Sequence, residues 1–314
     1  MKIAFLLYPT ENVKVHEDTS FWIMHELKRR GHEVFHFLSE SLFWRGHGPP
    51  QAFLSRTKTH VSKGFLPSAP SSQPAFLSEM DCIFIRKEPP FDRSYLYALQ
   101  LLSEVKDKVF VLNDPTGIAM SGEKLFTLGF EDLIPETCVT EDIKIASEFI
   151  QSLKTRAVIK PLHLKGGQGV FVTSPSDRNL ASLLEMSTVD GQEKIVIQRF
   201  IDADRYGDKR VLILNGEILG TFLRKPSKGD FRANLSRGAT LHKAALTGWD
   251  RKLVERLAPE LQKRGLWFVG IDVIGNTLTE INVTSPAGIA DLKTLYRTSP
   301  EIKVADFIED KLNC

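Results

Sequence analysis

Cysteine is scarce in this sequence. The chain has three, Cys82, Cys138 and Cys314, odd in number and widely spaced. Neither a disulfide framework nor a zinc-ligand pattern can be built from them, and a reducing compartment is expected. An excess of one charge sign is also missing: 41 Lys and Arg oppose 39 Asp and Glu, for a net charge of +2. A dedicated nucleic-acid binder needs a basic surplus for its phosphate contacts, so nucleic acid is not an expected partner. The basic stretches, such as Lys28-Arg29-Arg30, are short and read as a solvated helix end. No apolar run approaches a membrane span. The short one after Met1 meets Glu11, Lys14 and Glu17 without a signal-peptide cleavage pattern. A cytoplasmic protein with no membrane partner is expected. Also lacking is any Ser-His-Asp or Cys-His signature.

What is present is an ordinary globular composition. Hydrophobic residues make up 42% and charged residues 25% of 314, enough for two or three domains. Lys2–Tyr8 reads as a strand. Asp18 or Thr19 can cap a helix carrying Phe21, Met24 and Leu27 on its apolar face, with Gly31 as its stop. Glu33–Leu38 reads as the next strand, giving a βαβ unit and a parallel sheet. Residues 46–78 hold Gly46, Gly48, Pro49, Pro50, Pro67, Pro70 and Pro74 and read as a long connection. A strand at Asp81–Arg86, the Glu88-Pro89-Pro90-Phe91-Asp92 turn, a helix near Arg93–Lys106 and a strand at Val109–Asn113 complete an N-terminal α/β domain.

Ser121–Phe126 then opens a short helix. Ala157–Pro161, the loop His163-Leu164-Lys165-Gly166-Gly167-Gln168-Gly169 and Val170–Thr173 read as strand, glycine loop, strand. That is an antiparallel hairpin, unlike the strand–loop–helix of a P-loop. Ile195–Ile201 is another strand. Asn215-Gly216 is a hairpin turn between Lys209–Leu214 and Glu217–Leu223. A charged loop over 225–238 carries Arg232, Asn234 and Arg237. A helix over Asp250–Arg264 precedes strands Trp267–Val273 and Leu278–Val283, which flank Gly275-Asn276. The class is α/β.

Three groups of residues carry the chemistry. Asp272, Glu280 and Asn282 offer oxygen ligands of the kind a hard cation takes. Glu280 and Asn282 are two apart on one strand and share a face. A three-residue or bulged loop puts Asp272 opposite Glu280, on that same face. A two-residue turn at Gly275-Asn276 puts it opposite Thr279 and breaks the cluster. A metal site and a half-exposed hairpin both fit at this point. Lys160 ends an apolar strand before the glycine loop, and Lys124 follows Gly122. Each suits a phosphate ligand, or a strand end leaving for solvent. Arg210, Arg224, Arg232 and Arg237, with Arg86 in the N-terminal domain, could pair with carboxylates and phosphates. Taken with the trio, they describe a site for anionic substrates and a nucleotide.

These residues, in this order, resemble the ATP-grasp ligases, and within them the bacterial-type glutathione synthetases. The resemblance covers nearly the whole chain, through IRKEPPFD, EKLFT, LIPETCVT, VIKP, IQRFI, GDKRVLILNGE, FRANLSRGA and GLWFVGIDVIGNTLTEINVTSP. It implies an α+β ATP-grasp architecture with an N-terminal substrate domain over 1–120, a central domain over 121–200 and a C-terminal domain over 201–314 that clamp ATP. It implies that Lys124 and Lys160 contact phosphates and that Gly166, Gly167 and Gly169 form a lid. Gln198, Arg199, Phe200 and Ile201 would be the inter-domain strand at adenine, with Asp208 near the ribose. Asp272, Glu280 and Asn282 match the ligands of Mg²⁺, or of Mn²⁺ in its place. Arg210 and the Ser285-Pro286 turn would hold the reacting carboxylates. Arg232 and Asn234 fall in the family's closing loop and join Arg210 as the catalytic side chains. Asp18, Ser20 and Arg86 would help bind the dipeptide. The implied reaction joins γ-glutamylcysteine and glycine at the expense of ATP, in a homo-oligomer, tetramer or dimer. The chain departs from the family at Ala287-Gly288-Ile289, where Thr-Cys-Ile is usual, and its GGQG resembles ligases that add glutamate. A ligase for another dipeptide or amino acid is the alternative. A non-catalytic nucleotide-binding protein is the alternative from another class.

Overall fold

In the computed structural model, the described residues are all except 10–12, 61–63, 67–69, 165 and 314. Glu11, Pro67, Lys165 and Cys314, named above, therefore lie outside them. Strand Lys2–Leu7 is buried from Ile3 to Leu7 and sits in the middle of the first sheet. It pairs in parallel with Glu33–Leu38 on one side and Cys82–Ile85 on the other, and Phe110–Leu112 extends that second side. Burial on both faces explains why these strands are continuous apolar runs rather than alternating ones. The intervening helix, Thr19–Arg29, starts where expected. Asp18 Oδ1 accepts the N–H groups of Ser20 and Phe21 at 2.7 and 3.3 Å, which satisfies two of the helix's free donors.

Residues 46–78 differ from the plain connection expected. Leu42–Phe43, Gln51–Ala52 and Ala75–Phe76 form a small antiparallel sheet. Ser55–Arg56 adds an antiparallel edge to Glu33–Leu38. Lys58–His60 pairs with Gly64–Leu66. The frequent prolines and glycines cut the strands to two or three residues, too short to leave an alternating pattern.

A second sheet is antiparallel, in the order Thr137–Thr140, Ile195–Arg199, Ala157–Pro161, Phe171–Thr173. Helices Ile143–Leu153 and Leu180–Thr188 cover one face, burying Ala146, Ile150 and Leu184 against Ile159, Ile195 and Ile197. The third sheet is also antiparallel, in the order Thr240–Lys243, Glu217–Lys225, Asp208–Leu214, Phe268–Ile274, Thr277–Asn282. Helix Gly248–Lys263 backs it, started by a capping box between Thr247 and Asp250. Its Leu253, Leu257 and Leu261 pack on Val211, Ile213, Val269 and Ile271. Two final helices, Ile289–Tyr296 and Pro300–Asn313, return to the first sheet. Val304 and Ile308 share a core cluster with Ile3, Phe5, Phe21 and Met24.

Asn113 stitches the first sheet to the third. Its buried side chain donates to the carbonyls of Phe268 and Val283 at 2.8 and 2.9 Å and accepts the Phe268 N–H at 2.8 Å. Nothing in the sequence pattern marked it. The segment after it also differs from expectation. Residues 123–125 are a turn, and the helical piece is a 3₁₀ helix at Phe126–Phe130.

Candidate active site

The last hairpin resolves the question of faces. Ile274 pairs with Thr277, so the turn is the two-residue Gly275-Asn276. Val273 then faces Leu278, but Asp272 faces Glu280, because a bulge takes up Thr279. The Thr279 hydroxyl donates to the Asp272 carbonyl at 3.1 Å. The bulge restores the alignment that an even turn would spoil. Asp272, Glu280 and Asn282 therefore share one face, with Arg210 opposite Asp272 on the neighbouring strand.

Charges on that face are paired across strands. Arg210 grips Asp272 through Nε and Nη2 at 2.6 and 3.0 Å, a fork-to-carboxylate contact. Arg224 reaches Asp208 at 2.6 Å and Asp272 at 2.9 Å. Asn282 donates to Asp272 at 3.2 Å. Burial opposes ionisation of Asp272, but Arg210 and Arg224 outweigh it and hold the carboxyl at about 2. Burial pushes Asp208 up to about 6, against the pull of Arg224. Asp208 Oδ1 and Arg224 Nε are buried without a hydrogen-bond partner among the described residues. Both residues border the cleft that this face lines.

The two lysines approach from above. Lys124 lies 3.3 Å from Glu280 and donates to the Leu164 carbonyl at 2.9 Å, so it touches both the third sheet and the glycine hairpin. Lys160 donates to Gln198 Oε1 at 2.8 Å. Burial lowers the Lys160 ammonium, and Glu280 partly restores it. Glu123 was not singled out by the sequence. It accepts from the Thr284 hydroxyl at 2.6 Å, and burial, followed by Glu280, raises its carboxyl.

The hairpin is antiparallel, as its loop-and-strand pattern implied. Gly167 has a φ of +71°. A Cβ there would sit 2.6 Å from Asn234 Oδ1 and 2.9 Å from Arg232 Cδ, so only glycine admits this approach. Arg232 donates to the Gly167 carbonyl at 3.1 Å, and Arg237 to that of Gly166 at 3.2 Å. The 225–238 loop is thus clasped to the glycine hairpin. Gly169 instead packs on Pro161 and Leu164 at the hairpin base.

Together these groups line one cleft of about 210 Å³ between the second and third sheets. Lys124, Lys160, Gly166, Gly167, Gln198, Arg199, Phe200, Ile201, Asp208, Arg210, Arg232, Asn234, Asp272, Glu280 and Asn282 border it; Gly169 does not. Val158, Phe200, Phe231 and Ile274 give it an apolar slot suited to a flat ring. The Arg199 and Phe200 N–H groups already bond to the Glu136 and Arg156 carbonyls. A base held by the backbone here must use the others.

Asp18, Ser20 and Arg86 lie beyond the carboxyl ends of Lys2–Leu7 and Cys82–Ile85, the position of a switch-point crevice. Lys2–Leu7 and Cys82–Ile85 are adjacent strands whose chain order reverses between them, which is where open α/β sheets bind ligands. Arg86 is 1% exposed; its Nε donates to Ser20 Oγ at 3.0 Å, while its Nη1 has no hydrogen-bond partner. Asp18 is already engaged, capping its helix and accepting from Tyr8 Oη. The Thr19 hydroxyl accepts from Gly288 and Ile289 N–H at 3.1 and 3.2 Å, and Arg210 donates to the Ala287 carbonyl at 3.2 Å. The Ser285-Pro286 turn leads into this bridge, joining the crevice to the charged face.

A clamp of two sheets over such a cleft is the fold of the ATP-grasp proteins. An ATP-grasp RimK domain protein from Sphaerobacter thermophilus matches it with a TM-score of 0.63 at 16% identity, over 98% of this chain and 100% of that one. D-cycloserine synthetase matches with a TM-score of 0.67 at 12% identity, over 98% and 99%. The chain belongs to the prokaryotic glutathione synthetase family, whose N-terminal domain matches residues 1–119 and whose ATP-grasp domain matches 123–297. The glutathione synthetase of Gloeobacter violaceus is 40% identical over 98% of this chain and 96% of that protein. That of Coxiella burnetii is 38% identical over 99% and 97%.

Proposed function

We propose that the protein joins γ-glutamylcysteine to glycine, using ATP and releasing glutathione, ADP and phosphate. The observation that carries this reading is the single charged face on which Arg210, Asp272, Glu280 and Asn282 align beneath Lys124 and Lys160. ATP lies in the cleft with its base in the apolar slot and its phosphates toward the lysines and Gly166-Gly167. The orphaned Asp208 Oδ1 faces the ribose. The dipeptide lies in the crevice at Ser20 and Arg86, its reacting carboxylate between Arg210 and the Ser285-Pro286 turn. That carboxylate attacks the γ-phosphorus, ADP leaves, and the glycine amine then displaces phosphate from the acyl phosphate.

Asp272, Glu280 and Asn282 present only oxygen donors and an amide on one face, a set that fits Mg²⁺ or Mn²⁺. When bound, the ion would neutralise phosphate charge. The side chains themselves orient and screen. Arg210 positions the carboxylate, Lys124 and Lys160 offset phosphate charge, and the clasped loop with Arg232 and Asn234 excludes water from the acyl phosphate. The reading also divides the chain as 1–120, 121–200 and 201–314, supported by one major sheet in each. It includes a cytoplasmic homo-oligomer, whose subunit number sedimentation would give. No helix among the described residues is long and apolar enough to cross a membrane.

Incubation with ATP, Mg²⁺, γ-glutamylcysteine and glycine should release ADP and glutathione together. Turnover only with another dipeptide or amine would overturn the substrate assignment. None with any acceptor would leave a non-catalytic nucleotide-binding protein. Glu280→Ala should lose turnover while its circular dichroism stays that of the parent; undiminished turnover would remove the metal assignment.

A further inference from the structure

A second cavity, of about 660 Å³, lies behind Glu123 and Lys124. Its size is that of a small-molecule site, and it is larger than the space left in the reaction cleft. Its walls are the rings of Phe91, Phe126 and Phe130 with Ile118 and Leu164. One rim is charged and comes from the end of helix Gly248–Lys263. There Arg256 lies 5.5 Å from the Phe130 ring centre and Arg264 lies 4.7 Å from that of Phe126. Arg264 Nε is buried with no hydrogen-bond partner, and Glu260 stands 3.9 Å away. Among the described residues Arg256 has no ion-pair partner. Two guanidiniums against one carboxylate leave one positive charge on this rim. Arg210, Asp272, Glu280 and Asn282 do not border the cavity.

We propose that this cavity is a separate binding site for a small aromatic carboxylate. The ring fits among Phe91, Phe126 and Phe130, and the carboxylate meets Arg256, which has no polar partner among the described residues, and Arg264, whose Nη1 already donates to the Met120 carbonyl and the Ser121 hydroxyl at 3.4 and 3.3 Å and whose Nε does not. The site shares a wall with the reaction cleft. Leu164 lines both cavities, and its carbonyl accepts from Lys124. A ligand here therefore alters nucleotide affinity, and nucleotide alters the ligand's affinity by the same factor.

Gly129 provides a clean block. It borders the cavity, a Cβ on it meets nothing within 4 Å, and its φ is not left-handed. The test is calorimetric titration of the full chain with 1-naphthoate. The parent should bind one equivalent. Gly129→Leu and Arg264→Gln should each weaken binding by about tenfold or more, the effect of losing a filled space or a charged hydrogen bond. The cationic 1-naphthylmethylamine should bind at least about tenfold more weakly than 1-naphthoate. Gly129→Leu should form glutathione at the parent rate without the probe. Added ADP should shift the apparent Kd of 1-naphthoate to a plateau. The proposal is overturned by no saturable binding, by equal binding to both variants, or by an apparent Kd that climbs in proportion to ADP.

Discussion

Arg210 meets Asp272 with two parallel bonds, and the Ala287 carbonyl with a third. Lysine cannot reproduce a planar fork. Arg210→Lys should therefore lower kcat by about tenfold or more while circular dichroism stays unchanged, since it removes directed donors rather than charge. Steady-state kinetics with the dipeptide varied will check this; a parent kcat would refute the role given to Arg210. The identities of Asp272, Glu280 and Asn282 were readable from the chain, and so was the need for an odd step between them. Which odd step was not readable. Thr279 looks like any strand residue, and only the pairing of Asp272 with Glu280 reveals it as the bulge. Glu123 also escaped notice, because a single carboxylate at a turn carries no pattern.

Among the elements, helix Thr19–Arg29 was legible at both ends through Asp18 and the basic last turn. Its ion pairs give a pH signature. Glu26 is held down at about 2 by hydrogen bonding to Arg29, against burial and with help from Arg30. A carboxyl depressed in the folded state contributes stability above its ordinary value of 4.5, and that contribution is lost as pH falls from 4.5 to about 2. Urea unfolding of Glu26→Gln should show its deficit at neutral pH and little deficit near pH 2. A deficit independent of pH would contradict this. The 225–238 loop gives a kinetic signature instead. Arg232→Ala removes the bonds to Asp230 and Gly167 and should loosen the loop, leaving the Arg237 bond to Gly166 to hold it to the hairpin. Water then reaches the acyl phosphate, and ADP released per glutathione formed should rise above one, to about two. A one-to-one ratio in the variant would show that the clasp does not exclude water.

For the whole molecule, the parallel sheet and the hairpins were foreseeable from strand periods and turn residues, but the attachment of the first sheet to the third was not. Asn113 makes three hydrogen bonds across that seam, and read as the last residue of a strand it carries no sign of that role. Asn113→Leu leaves one buried N–H and two buried carbonyls unpaired and should cost about 3–6 kcal/mol in urea unfolding. A loss below about 1 kcal/mol would mean water replaces it. The short strands of 46–78 were hidden for a different reason: pairs of two residues show no alternation to read. The return of helix Pro300–Asn313 onto the first sheet has a further consequence, for the order in which the chain is made. Ile3, Phe5, Phe21 and Met24 leave the ribosome early, yet Val304 and Ile308, which complete their core, follow some 280 residues later. At typical synthesis rates that is a wait of roughly 15–60 s with an apolar face uncovered. The nascent sheet around Ile3 and Phe5 is therefore a natural client for a chaperone, and its core is finished only when Val304 and Ile308 follow.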